Sequence, residues 1–158
     1  MTGQILEYLG MAGIGISLFT EPTAMAFGWM STDGSTVRIG ANGRVDVQIS
    51  GANHGQSLET TIAQVVADEL GVDIAHVRVL QGDTDAAPLG PGTGGSRSAV
   101  STGSAALKAA SEVRVQVVSL AAHLLEAAPE DLEIADGNVQ VVDTTPFRNG
   151  ARPASGSR

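Results

Sequence analysis

Two glycine-rich segments, each running straight into an apolar stretch of helical periodicity, constrain this chain more than any other feature. The first, Gly51-Ala52-Asn53-His54-Gly55-Gln56-Ser57, feeds the run from Leu58 to Leu70. The second, Gly90-Pro91-Gly92-Thr93-Gly94-Gly95-Ser96-Arg97-Ser98, feeds the Ala-rich run from Ala99 to Ala128. The first turn of a helix has N–H groups with no intrahelical acceptor and a partial positive charge, and glycine lets a ligand approach the backbone. A single loop of this kind is most simply a tight turn. Two of them close together make a phosphate-bearing ligand the leading expectation. Gln56 and Arg97 are then the side chains expected to touch it: an amide both donates and accepts, and a guanidinium fork matches a phosphate. The alternative for Arg97 is an ion pair with Asp83 or Asp85.

Around these loops the periodicity predicts the remaining elements. Gly13 to Phe19 alternates as a strand, and Glu21-Pro22 through Asp33-Gly34 reads as loop. Ser35 to Gly40 and Arg44 to Ser50 alternate on either side of Asn42-Gly43, a strong hairpin signal. Leu58, Ile62, Val65, Val66 and Leu70 follow helical spacing up to a Gly71 stop, with Glu59 favourably placed in the first turn. His76 to Leu80 reads as a strand, Gln81 to Gly95 as a long loop, and Ser98 to Ala128 as a helix ended by Pro129. In that helix Val113, Val117, Leu120, Leu124 and Leu125 form the apolar side, and Gly103 invites close packing. Leu132 to Ile134 and Val139 to Val142 make a second hairpin about Asp136-Gly137-Asn138. The order βββ-α-β-α-ββ predicts an α+β fold with a mainly antiparallel sheet and two helices, and leaves a βαβ crossover around the first helix open. Residues 1–142 form the folded subdomain, and 143–158 are expected to be a loose tail.

Composition narrows the function. Hydrophobic residues make up 42% of the chain but aromatics only 3%, so the core must be built from Ala, Val, Leu and Ile. A net charge of −8 with a single lysine, Lys108, argues against nucleic acid and anionic membrane surfaces as partners. Absence of cysteine removes disulfides, thiolate metal sites and a cysteine nucleophile, and His54, His76 and His123 lack metal-ligand spacing. The run Met11 to Phe19 is too short for membrane insertion and lacks signal-peptide flanks, so a cytoplasmic setting is expected. Gly90 to Arg97 does not fit a nucleoside-triphosphate loop, because Ser96-Arg97 stands where Lys and then Ser or Thr are required. No Gly-x-Gly-x-x-Gly links a strand to a helix. Asp83 and Asp85 suit a turn better than a metal site. Ser96 and Ser98 have no evident His/Asp partners for nucleophilic chemistry.

Several segments in order carry a family resemblance. They are Glu21-Pro22-Thr23, the Asn-Gly hairpin, His54 to Thr61, Ala67-Asp68-Glu69-Leu70-Gly71, Gly82-Asp83-Thr84-Asp85 and Gly92-Thr93-Gly94-Gly95-Ser96-Arg97-Ser98. Over about residues 10 to 142 the chain resembles the molybdopterin-binding large subunit of the xanthine oxidase family, on the side of carbon monoxide and aldehyde dehydrogenases. The resemblance implies a molybdopterin cytosine dinucleotide carrying molybdenum. His54, Gly55, Gln56, Ser57, Thr93, Gly94, Gly95, Ser96, Arg97 and Ser98 match the family's cofactor-binding stretches. It also implies a parent that oxidises carbon monoxide, aldehydes or heterocycles, with remaining large-subunit domains and iron–sulfur and flavin subunits as partners. The family usually has glycine where Ser57 stands and a polar residue where Leu58 stands; Ser57 is instead a candidate helix cap. The family's other glycine loop, substrate loop and general-base glutamate have no counterpart here. No catalytic or metal-ligating residue is therefore assigned, and a fragment inactive alone is expected. A non-enzymatic interaction module that retains no ligand is the competing expectation.

Overall fold

Val45, Val47 and Ile49 alternate in sequence and are all fully buried, so one face of a short strand is committed to the core. The computed structural model of the chain describes residues 15–21 and 32–142. Strand β1 (Ser35–Ile39) pairs antiparallel with β2 (Val45–Ile49), with Ser35 opposite Ile49 and Ile39 opposite Val45. The connection is the three-residue loop Ala41-Asn42-Gly43, as the sequence places it. Gly40 N–H donates to Arg44 O at 2.8 Å, Gly43 N–H donates to Gly40 O at 2.9 Å, and Gly43 takes the left-handed position with φ 76°.

Helix α1 (Leu58–Leu70) has the expected bounds. Leu58, Ile62, Val66 and Leu70 recur every fourth residue, are buried, and pack into one cluster with the inner face of β2. Gly71 (φ 65°) ends the helix, and the Val72 N–H reaches back to Ala67 O at 3.1 Å, closing the last carbonyls. A turn of 3₁₀ helix capped by Asp73 leads to β3 (Val77–Leu80), which lies parallel to β2 with Val45 opposite Val77. The βαβ crossover left open by the sequence is therefore formed, in a sheet of order β1-β2-β3.

The parallel register sets Asp46 opposite Arg78, whose Nε and Nη2 donate to the two carboxylate oxygens at 2.9 Å. This hydrogen bond, reinforced by the guanidinium charge, holds the Asp46 carboxyl below its ordinary value. A lowered folded-state value favours the ionised form, so the contribution is present at neutral pH and lost as pH falls through that value. Both groups are exposed, which keeps the effect small. Asp46→Asn should lower the melting temperature slightly at pH 7, the difference from the unmodified chain closing on acidification. A difference that widens in acid would contradict the assignment.

A π-helical turn (Ser98–Thr102) opens helix α2 (Gly103–Leu125), with Gly103 N–H shared between Ser98 O and Val100 O. Buried Ala106 and Ala110 let α2 lie close on the core, and Arg114 Nη1 ties it to α1 through Glu69 O at 2.7 Å. The helix stops earlier than Ala128, because Pro129 holds Ala128 extended (φ −71°, ψ 143°) and Glu126 turns left-handed (φ 52°). Val113 packs on the core, whereas Leu120 and Leu124, on the side expected to be apolar, remain 61% and 69% exposed. Strands β4 (Leu132–Ala135) and β5 (Asn138–Val141) form a separate antiparallel hairpin. Its two-residue turn has φ 50° at Asp136 and 73° at Gly137, as a type I′ turn requires. It docks on α1 where Gly137 N–H donates to Gly71 O at 2.7 Å. A Cβ at Gly71 would lie 2.9 Å from Ile134 O, so glycine serves this approach as well as the turn.

The α+β class and the predominance of antiparallel pairing stand as expected. One expectation is corrected. Residues 15–19 of the strand expected over Gly13 to Phe19 form no regular structure. Ile16 and Leu18, of one parity, and Phe19, of the other, are all exposed, so the alternation selects no buried face. Residues 13 and 14, residues 22–31 of the expected loop, and the 143–158 tail lie outside the described residues.

Candidate cofactor-binding site

The two glycine-rich loops lie side by side. Thr93 stitches them: its hydroxyl donates to Ala52 O at 2.5 Å and accepts from Ala52 N–H at 3.0 Å. Between them lies a cleft of about 430 Å³ lined by Glu21, His54, Gln56, Thr93, Gly94, Gly95, Ser96, Ser98 and Ala99. Of the ten site residues expected from sequence, His54, Gln56, Thr93, Gly94, Gly95, Ser96 and Ser98 line it, while Gly55, Ser57 and Arg97 do not.

The loops differ in what their backbones can offer. In the first, side chains of the same molecule already accept most N–H groups. Asn53 Oδ1 takes those of Gly55 (3.2 Å) and Leu58 (3.4 Å), and Gln56 Oε1 takes that of His54 (2.5 Å). Gln81 Oε1 takes that of Asn53 at 2.6 Å. The Gln56 amide also donates to Ala52 O, so this side chain faces the cleft with both ends engaged. In the second loop, the N–H groups of Gly94, Gly95, Ser96 and Ser98 meet no acceptor among the described residues. Gly95 (φ 60°) and Ser96 (φ 49°) are left-handed and Arg97 (φ −96°) is right-handed. A left-handed residue followed by a right-handed one, as at Ser96-Arg97, is the backbone pattern in which successive N–H groups can turn to one side. The second loop is thus the open donor surface, and the first acts mainly as its wall.

Arg97 is a correction. Its side chain is 3% exposed and donates through Nη2 to Asp33 Oδ2 at 3.0 Å and Thr32 O at 2.9 Å. The ion-pair alternative holds, with Asp33 as the partner in place of Asp83 or Asp85. Asp33 Oδ2 also accepts from the Thr102 hydroxyl at 3.0 Å, and Oδ1 from the Ser50 hydroxyl at 2.5 Å. Gly90 packs against this cluster, where a Cβ would stand 2.4 Å from Ser50 Cβ. Asp83 forms the expected turn, accepting from the N–H groups of Asp85 (3.0 Å) and Ala86 (3.3 Å).

Ser57 is a second correction: its side chain makes no cap bond, and Asn53 takes the Leu58 N–H instead. Ser57 holds φ 58° and ψ 36°, a left-handed conformation that costs a residue with a Cβ ~1–2 kcal/mol. Ser57→Gly should therefore stabilise the chain by about 1 kcal/mol, net of the added freedom of the unfolded glycine. Urea denaturation checks this; an unchanged or lower midpoint would show that Ser57 is not strained. Sequence reasoning missed Glu21 as a cleft-lining residue and Asn53 as the acceptor that occupies first-loop N–H groups. Asn53, five positions before the helix, carried a cap signal overshadowed by Ser57. Glu21 stood out only within the family resemblance, not as a cleft residue, because its carboxylate accepts from the Ser96 hydroxyl across a separation of 75 residues. Among the described residues no group of His, Cys, Asp and Glu could hold a metal ion, and no helix is long and apolar enough to cross a membrane.

The family model described as a molybdopterin cofactor-binding domain matches residues 7–156. The carbon monoxide dehydrogenase large chain of Afipia carboxidovorans is 38% identical over 128 residues, covering 77% of this chain and 16% of that protein. The 6-hydroxypseudooxynicotine dehydrogenase complex subunit gamma of Paenarthrobacter nicotinovorans is 37% identical, covering 84% of this chain and 16% of that protein. Among solved structures, quinoline 2-oxidoreductase from Pseudomonas putida 86 superposes with a TM-score of 0.64 at 48% identity, covering 69% of this chain and 14% of that one. Reconstituted CO dehydrogenase from Oligotropha carboxidovorans gives the same TM-score at 38% identity, covering 70% and 14%. The chain thus spans about one-sixth of the length of the curated relatives it matches.

Proposed function

The chain belongs to the molybdopterin cofactor-binding domain family, and from that premise we propose that its two-loop cleft holds the phosphate-bearing part of a molybdopterin dinucleotide. The observation that carries this reading is that Gly94, Gly95, Ser96 and Ser98, whose N–H groups meet no acceptor among the described residues, line a cleft shared with the first loop. Their chemistry fits the group. A diphosphate offers only acceptors at neutral pH, and backbone N–H groups in a left-to-right-handed turn offer donors, whereas the Ser96 and Ser98 hydroxyls already donate to Glu21 and Thr93. Glycines at 94 and 95 leave open space above the backbone, since a Cβ on either would meet nothing within 4 Å. His54, Gln56 and Thr93 close the cleft from the other side.

We read the cofactor as the cytosine dinucleotide, which when bound would supply the molybdenum redox centre. Under this reading the parent is an oxidoreductase acting on carbon monoxide, aldehydes or heterocycles. It works in the cytoplasm with the remaining large-subunit domains and with iron–sulfur and flavin subunits. This chain then contributes binding and orientation only, and is inactive by itself. Calorimetry with cytidine diphosphate, guanosine diphosphate and inorganic pyrophosphate tests the proposal. Cytidine diphosphate should bind more tightly than guanosine diphosphate, and pyrophosphate should compete with both. Absence of heat from all three would remove the reading.

The competing module reading draws on the exposed Leu120 and Leu124 of α2. Apolar side chains bared in this way favour self-association. Light scattering that shows oligomers, together with no diphosphate binding, would favour it.

A further inference from the structure

We infer that Arg97 is a positioning residue: its buried pair with Asp33 anchors the second glycine loop and holds Ser96 in the left-handed conformation that turns the Ser96-to-Ser98 N–H groups toward the cleft. Ser96 has a Cβ and still adopts φ 49°, so something outside its own dihedral preference must hold it there. Glu21 binds the Ser96 hydroxyl, and the adjoining residue supplies a second, buried hold. Arg97 is 3% exposed and the Asp33 side chain 0%, and they meet at 3.0 Å. Asp33 is fixed in turn by Ser50 at the end of β2 and by Thr102 in the π-helical turn. The loop is therefore gripped one residue after Ser96 by a carboxylate that also grips the sheet and the start of α2.

Arg97 Nε and Nη1 are buried with no hydrogen-bond partner among the described residues. A pair kept for stability alone would be poorly served by such a residue, because unpaired buried donors oppose folding. A pair kept to fix one conformation of the adjacent serine accounts for that choice. The functional meaning of the anchor rests on the cofactor reading above, whereas its conformational effect is independent of any ligand.

The test uses the full 158-residue chain, isotope-labelled, as Arg97→Met, Asp33→Asn and the double variant Arg97→Met with Ser96→Gly. Cα and Cβ chemical shifts and the HN–Hα coupling report the conformation of residue 96, and spectral dispersion with the melting temperature reports the fold. In the folded single variants Ser96 should lose its left-handed signature. If about one-tenth of molecules retain it, the apparent affinity for cytidine diphosphate falls about tenfold. The added glycine, for which the left-handed region is freely accessible, should restore most of that loss. A left-handed Ser96 that persists in both folded single variants overturns the inference, as does a Ser96 that is not left-handed in the unmodified chain. Anchor-dependent Ser96 shifts with no cytidine diphosphate response in the unmodified chain would support the anchor and sink the cofactor reading alone.

Discussion

Replacing Asp33 by alanine is expected to destabilise the chain by about 3–5 kcal/mol, the range for breaking a buried ion pair by removing one partner. The carboxylate receives the Arg97 guanidinium and the Thr102 and Ser50 hydroxyls, and its side chain is fully buried. Its loss strands a guanidinium that already has two unengaged nitrogens, together with two hydroxyls, in a region closed to water. Arg97→Met should cost less. It removes the unengaged donors, fills similar volume, and leaves Asp33 hydrogen-bonded to the Ser50 and Thr102 hydroxyls. Urea denaturation of both variants at neutral pH measures the difference. A cost below 1 kcal/mol for Asp33→Ala would mean that Arg97 escapes to solvent and that the cluster is not a fixed hub.

Ile62→Ala is expected to cost about 2–5 kcal/mol, and Ile62→Val only about 0.5–1.5. Ile62 is fully buried at the centre of α1 and belongs to the cluster formed by Val45, Val47, Ile49, Leu58, Val66, Leu70, Ala106 and Ala110. Among the described residues the core has no aromatic side chain, and its α2 side is lined by alanines, so few large neighbours can move into the space left behind. Chemical denaturation with an unchanged slope and a lower midpoint is the expected signature. A cost for alanine near that for valine would show that α1 settles onto the sheet and heals the cavity.

Much of this fold was legible because its elements carry local signals. Helix α1 starts and stops where the apolar spacing and Gly71 require, and both hairpins form at Asn42-Gly43 and Asp136-Gly137. The shared cleft was an expectation the sequence alone could not secure, since loops preceding two packed helices adjoin only when the helices run in the same sense. The missed features depend on distant partners. Nothing near Arg97 in sequence points to Asp33, 64 residues away, and Asp83 and Asp85 offered nearer carboxylates. The expected strand over Gly13 to Phe19 failed over its described residues because alternation specifies a strand only where a sheet face is there to be covered. Inequality between the loops was hidden for a related reason. Both sequences supply glycines and a helix start, but only the first also has Asn53 and Gln56 placed to consume its own N–H groups.

The most direct test of the proposed cleft is an amide-resolved titration of the chain with cytidine diphosphate. The largest shifts should fall on Gly94 to Ser98, with smaller ones at Gln56 and Ser57 and little at Gly55, whose N–H is already engaged by Asn53. Shifts concentrated on the first loop alone, or spread over surfaces remote from both loops, would contradict the assignment of the second glycine loop as the anion-binding surface.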